Sequence, residues 1–167
     1  ATAAVLETAD DAAVRDLVAQ VGQLFGDAKA RATRLAALGD PATGVAQRRE
    51  ILQAFTRDAA PEALPAVLRL IDEPKLRRDA IRALAAFEDP GIARELLARY
   101  AALDAGDRAE AILTLSARRA SAQALFGALR RDAVPRRDVT AFAARQLQRV
   151  IGPAFGDFWG AVAQPDE

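Results

Sequence analysis

Apolar residues recur along this chain at three- and four-residue intervals, the spacing that lines one face of an α-helix. Val14, Leu17, Val18, Val21 and Phe25 form one such stripe and predict a helix over residues 11–25. A shorter helix is expected over 27–38, stopped by Gly39-Asp40-Pro41, and Ile51, Leu52 and Phe55 place the inward face of another at 45–56. Pro61 opens the next, with Pro65 one turn on, where the missing N–H costs little because first-turn N–H groups have no helical acceptor. Further helices are predicted over 74–87, 92–103, from 104 through Ile112, Leu113 and Leu115, and over 120–130. Another spans 139–150 with Phe142, Leu147 and Val150 inward, and a short last one follows Gly152-Pro153 and ends near Trp159. Val, Ile and Thr are too scattered to form the alternating runs of strands.

The helices repeat. Leu76-Arg77-Arg78-Asp79-Ala80-Ile81-Arg82-Ala83-Leu84-Ala85-Ala86-Phe87-Glu88-Asp89-Pro90 has an outline counterpart in residues 14–27. In both, an apolar residue precedes Arg, small apolar residues follow at helical spacing, and a Phe closes the helix before an acidic turn. Ile81 and Leu84 correspond to Ile112 and Leu115 in the following hairpin. The fold class expected is all-α: about ten helices in five stacked antiparallel pairs, an α-solenoid with a period near 30 residues. No such hairpin buries its stripe alone, but stacked neighbours share one core. A four-helix bundle fits less well, because the helices are short and too numerous. The repeat domain is expected to occupy 1–163, with 164–167 a tail or the start of a linker.

Composition sharpens this. Of 167 residues 51% are apolar, and 42 are alanine, so helices can approach closely and helix propensity is high. There is no Cys, His or Met. That leaves no disulfide, no thiolate or imidazole chemistry, no haem-attachment motif and no Cys-ligated metal, so neither an enzyme nor a cofactor is expected. No run of 18 apolar residues exists, and Ala1-Thr2-Ala3-Ala4 does not begin a signal peptide, so no membrane insertion of this segment is expected.

Formal net charge is zero, with 23 basic and 23 acidic residues. Residues 1–30 are acidic, whereas residues 116–150 carry Arg118, Arg119, Arg130, Arg131, Arg136, Arg137, Arg145 and Arg149 against two aspartates. Arg118, Arg119, Arg130, Arg131, Arg136 and Arg137 are therefore the candidate anion- or partner-binding set. A chain of zero net charge makes nucleic acid a poor partner. Phe155, Phe158 and Trp159 are candidate docking residues, or a cap on the last hairpin. The acidic pairs Asp10-Asp11, Asp72-Glu73 and Glu88-Asp89, like Ser116 and Ser121, are expected to cap helices.

Residues 14–27 and 76–90 resemble HEAT repeats, antiparallel helix pairs stacked into a right-handed superhelix. A narrower likeness runs through Ala63-Leu64-Pro65-Ala66-Val67-Leu68-Arg69-Leu70-Ile71-Asp72, residues 80–87, Leu96-Leu97-Ala98-Arg99-Tyr100, Val134-Pro135-Arg136-Arg137-Asp138-Val139 and Ala144-Arg145-Gln146-Leu147. That succession resembles the HEAT region of large bacterial membrane-bound dehydrogenases, which place a propeller before the repeats and a c-type haem domain after them. The chain has no Cys-x-x-Cys-His, and Ile151-Gly152-Pro153 stands where a Gly-Asp turn is usual. The resemblance implies a non-catalytic scaffold or protein-interaction module, a spacer whose partner is another domain of the same parent chain or a separate protein. It implies a periplasmic or membrane-associated location if the parent is such a dehydrogenase. In HEAT arrays an Arg at the place of Arg15 and Arg77 bonds acidic groups of the adjacent repeat, which makes Asp72 and Asp79 the expected partners of Arg77. The competing reading is a HEAT-fold nucleic-acid or phosphate binder, or a DNA-repair-like enzyme, using the Arg-rich C-terminal half.

Overall fold

A computed structural model describes residues 12–160, and side chains over 21–22 and 27–160. Among the described residues the chain is all-helical, with nine α-helices. They are α1 (Ala12–Gly39), α2 (Val45–Arg57), α3 (Leu64–Leu70), α4 (Arg77–Ala83), α5 (Gly91–Arg99), α6 (Ala105–Ser116), α7 (Arg119–Arg130), α8 (Ala141–Ile151) and α9 (Pro153–Trp159). Short 3-10 turns lead into α3 (Pro61–Ala63), finish α4 (Leu84–Ala86) and α5 (Tyr100–Ala102), and precede α8 (Arg136–Asp138).

Local chemistry sets these limits. Asp104 and Thr140 are N-caps, their side chains accepting from the backbone N–H groups of Asp107 at 2.8 Å and Ala143 at 3.2 Å. Helices α2 and α7 end alike, each with a non-glycine residue at positive φ: Ala59 at 46° and Asp132 at 55°. At each end two N–H groups turn back to helix carbonyls, Ala59 to Thr56 and Ala60 to Phe55, then Asp132 to Leu129 and Ala133 to Ala128. This is the Schellman closure, usually built on glycine. Gly152, at φ 89° and ψ −152°, separates α8 from α9 in a conformation that side chains strongly disfavour.

Packing follows chain order. Helix α1 lies on α2 and α3, α2 and α3 on α4, α4 on α6, α5 on α7, α6 on α7 and α8, and α8 on α7 and α9. Thus α2, α4, α6 and α8 form a row of successive neighbours, with the other helices against it. One connected apolar core runs from Leu38 to Phe155. Alanines with no exposed surface (Ala63, Ala80, Ala111, Ala122, Ala143 and Ala144) stand between the larger side chains, and that absence of bulk lets the helices close up.

Two expectations differ from the structure. The pattern predicts separate helices over 11–25 and 27–38, but α1 runs unbroken through Gly26-Asp27. A helical Gly costs only about 1 kcal/mol relative to Ala, whereas most breaks that do occur lie at or beside a proline, a capping polar residue or another glycine; that between α6 and α7, at Ala117-Arg118, has none of these. The side chains of Val14, Leu17, Val18 and Phe25, and the pair Asp10-Asp11, lie outside what is described. Phe142, expected inward, is 61% exposed. The buried face of α8 is set by Ala143, Ala144 and Leu147. At about 100° per residue, Phe142 points away from all three. No described helix is long and apolar enough to cross a membrane.

Candidate functional site

The arginines of the even-numbered helices build the chain's main polar constellation. Arg48 of α2 is the most deeply buried, at 3% exposure. Its Nε donates to the carbonyl of Leu38 at 2.8 Å, in the last turn of α1, where carbonyls lack helical donors. Its two terminal nitrogens donate to both carboxylate oxygens of Glu73, each at 2.6 Å. One side chain thus ties α1, α2 and the turn before α4 together. The hydrogen bonds from Arg48 hold the Glu73 carboxyl below the usual carboxylate range.

Two later arginines copy it. Arg77 Nε donates to the carbonyl of Ile71, just past α3, at 2.7 Å, and its Nη1 lies 3.7 Å from Asp107 of α6. Arg108 donates to the carbonyls of Tyr100 and Ala101 at the end of α5, and lies 3.9 Å from Asp138. In three successive hairpins, an arginine near the start of the second helix caps the end of the first and reaches an acid of the next hairpin. Asp138 also accepts from the Tyr100 hydroxyl at 2.9 Å, and burial first, then this bond, raise the phenol's pKa.

A second set runs along the row itself. Arg49 of α2 donates to Asp79 of α4 at 2.6 Å. Arg78 of α4 donates to Asp107 of α6 at 3.0 Å and to its N-cap Asp104. The backbone N–H of Asp107, then desolvation and the nearby Arg78 charge, leave the Asp104 carboxyl below its ordinary value on balance. Arg82 of α4 grips Glu110 of α6 with two bonds, at 3.0 and 2.7 Å, which raises the guanidinium pKa. Arg99 similarly reaches Asp72 and Glu95. The expected partners of Arg77 are therefore corrected: Asp79 belongs to Arg49 and Asp72 to Arg99, because Arg77 itself reaches forward, to Asp107.

The six arginines singled out from the sequence are held in different ways. Arg118 donates to the carbonyls of Ala85 and Ala86 and to the carboxylate of Glu88, closing the end of α4. Arg136 donates to the carbonyl of Phe158 and lies over the rings of Phe158 at 4.1 Å and Trp159 at 5.3 Å. Arg130 lies 5.9 Å from the ring centre of Phe126. Arg137 is 84% exposed and 3.9 Å from its neighbour Asp138. Arg119 and Arg131 are exposed at opposite ends of α7. Eleven residues of helix separate Arg119 from Arg130, roughly 16 Å.

Phe155, Phe158 and Trp159 pack on the fold itself. Phe126 meets Phe155 and Phe158 edge-on at 5.7 and 5.4 Å, and Phe155 stacks on Trp159 at 5.4 Å. Phe155 is fully buried. Asp89 accepts from the N–H of Gly91 at 2.6 Å and so serves the start of α5. The other acids expected as caps (Asp72, Glu73 and Glu88) serve as ion-pair partners instead. Ser116 donates to the carbonyl of Leu113 at the end of α6, and Ser121 lies inside α7, so neither is an N-cap. Among the described residues no three acidic side chains converge as metal ligands. A cleft of ≈ 500 Å³ between α1 and α2 is lined by Asp27, Arg31, Arg34, Phe55 and Asp58, with Arg31 bridging to Asp58 and Glu62.

Sequence reading missed Arg48 and Arg108 as joints, along with Glu73, Asp107 and Asp138. The available signal is an acid 25 to 30 residues beyond each joint arginine, repeated three times. Comparison with known proteins returns no match: no family model fits the chain, and no curated protein and no solved structure is similar to it.

Proposed function

We propose that this chain is a HEAT-like α-solenoid serving as a non-catalytic scaffold or protein-interaction module. The observation that carries the reading is the threefold arginine joint of Arg48, Arg77 and Arg108. Each ends one helix, begins the next and reaches an acid of the following hairpin. Contacts that link one unit only to its neighbours are what a stacked array requires. The joints and rungs also commit most of the arginines of α2, α4 and α6 to internal acids, which leaves little for a phosphate backbone. The sequence resemblance adds a context, a spacer between domains of a larger dehydrogenase, with a partner domain in the same parent chain.

The test is a titration of labelled duplex DNA at roughly 150 mM salt, set against the competing nucleic-acid reading. Each phosphate neutralised adds about 0.9 to the salt slope of log affinity, so the few separate arginines at the ends of α7 support only weak, salt-sensitive binding. Sub-micromolar binding that is lost on Arg130→Glu with Arg131→Glu would overturn the scaffold reading.

A further inference from the structure

The rungs along the row of even-numbered helices change chemistry at one step. Buried residues fix the register between these helices. Ile81 and Leu84 of α4 and its 3-10 turn correspond, 31 residues on, to Ile112 and Leu115 of α6. Ala111, Ile112 and Leu115 correspond, 32 residues on, to Ala143, Ala144 and Leu147 of α8. In this register Arg82 of α4 maps onto Leu113 of α6, and Glu110 of α6 maps onto Phe142 of α8. Arg82 and Glu110 are the doubly bonded ionic rung between α4 and α6. One step on, the same two positions hold leucine and phenylalanine.

Both are exposed, Leu113 at 38% and Phe142 at 61%, and among the described residues only Val21 is a further large hydrophobic so exposed. The positions one turn either side of Leu113 are small: Ala109 is half-buried and Ala117, just past α6, is exposed. Helix α8 contains no Asp or Glu, and Arg149, seven residues after Phe142, is exposed on the same face. The acids of α6 are taken, Asp107 by Arg78 and Arg77, and Glu110 by Arg82. An exposed aromatic side chain two helical turns from an exposed guanidinium, on a helix without Asp or Glu, complements an acidic segment that carries its own apolar side chain.

We propose that the face of α6 and α8 bearing Leu113, Phe142 and Arg149 docks an acidic amphipathic helix of a protein partner. A helix lays its apolar stripe on such a surface through residues at i, i+3 and i+4. The partner's apolar residue sits between Leu113 and Phe142, and its carboxylates face Arg149. The inference rests on the scaffold reading, for which it names the surface and the class of partner.

The test uses the full chain and a displayed library of 16-residue helical peptides in which charge and apolar positions vary. Selection should enrich acidic amphipathic sequences. Their binding should fall about tenfold or more on Phe142→Ser, and comparably on Arg149→Glu, while the melting temperature stays unchanged because both sites are exposed. Enrichment of basic sequences, no enrichment, or binding indifferent to Phe142→Ser and Leu113→Ser would overturn the proposal. So would concentration-dependent self-association in sedimentation that disappears with Phe142→Ser, since a second copy would then cover the face. Tight duplex binding would sink the scaffold reading whatever the library gives. Absent duplex binding with a failed selection would sink the docking face alone.

Discussion

Removing the half-exposed Glu73 should damage this protein more than removing its buried partner. Arg48 is 3% exposed and spends its donors on Leu38 and on both oxygens of Glu73, whose side chain is 39% exposed. In Glu73→Ala the guanidinium stays buried with one carbonyl left to it. Breaking a buried pair from one side costs about 3–5 kcal/mol. Water reaching in from the Glu73 side lowers that to about 2–4 kcal/mol. In Arg48→Met the charge leaves with the side chain, most of the volume stays, and Glu73 is rehydrated where it stands. What is lost is the pairing and the side-chain donor on the Leu38 carbonyl, about 1–2 kcal/mol. Combining the two substitutions should therefore be milder than Glu73→Ala alone, because the second removes the orphaned charge.

Urea unfolding followed by far-UV ellipticity measures all three variants. With a slope near 2 kcal/mol/M, the loss in Glu73→Ala moves the midpoint by about 1–2 M. The pH dependence supplies a second readout. Arg48 lowers the folded-state pKa of Glu73, so its contribution is complete above the ordinary carboxylate pKa and is lost as pH falls through the lowered value. The gap between wild type and Glu73→Ala should thus be full at neutral pH and narrow below about pH 4. A loss under roughly 0.5 kcal/mol in Glu73→Ala, the level of ordinary surface changes, would refute the reasoning. So would a double variant whose loss is the sum of the two singles.

Leu84→Ala and Ile112→Ala, each at 1% exposure, should cost about 2–5 kcal/mol, and losses below about 1 kcal/mol at both would contradict the shared core. Ala59→Gly should stabilise by about 0.5–1 kcal/mol in the same urea assay, since Ala59 closes α2 at φ 46°, where glycine is free of strain. Gly106→Ala should free Arg78 from Asp107, because a Cβ there would stand 2.3 Å from the Arg78 guanidinium; a crystal structure of the variant retaining the 3.0 Å bond would contradict this.

Most helices in this chain end where the sequence supplies a chemical reason to end, and those ends are legible. Gly39-Asp40-Pro41, Pro61, Asp89-Pro90-Gly91, Val134-Pro135 and Gly152-Pro153 all lie at observed breaks. Gly26-Asp27 carried the same expectation without a proline and was passed over by α1. Helical phase was legible wherever several buried residues agree, as for Ile112 and Leu115, and failed at Phe142, where aromatic character outweighed the phase set by Ala143 and Ala144. The joints were illegible for a different reason. An arginine 25 to 30 residues from its acid leaves no local signature, and adjacency does not say which member of a doublet turns back to a carbonyl: Arg48 and Arg77 do, while Arg49 reaches Asp79 and Arg78 joins Arg77 at Asp107.

The C-terminal arginines stand out in the sequence because residues 116–150 hold eight of them against two aspartates. Through α2, α4 and α6, outward arginines meet acids about one hairpin further on, so these helices carry many charges and little net field. Helices α7 and α8 contain no acid: Arg118, just before α7, turns back to the carbonyls of Ala85 and Ala86 and to Glu88, Arg136 turns to the carbonyl of Phe158, Arg130 lies against a ring, and Arg119, Arg131 and Arg149 are exposed. A ladder in which each rung needs an acid from the next helix has to stop where that helix is lacking. The first step at which Arg and Glu give way to Leu113 and Phe142 is also where the basic excess begins. The excess charge and the exposed apolar pair thus begin at the same step of the row.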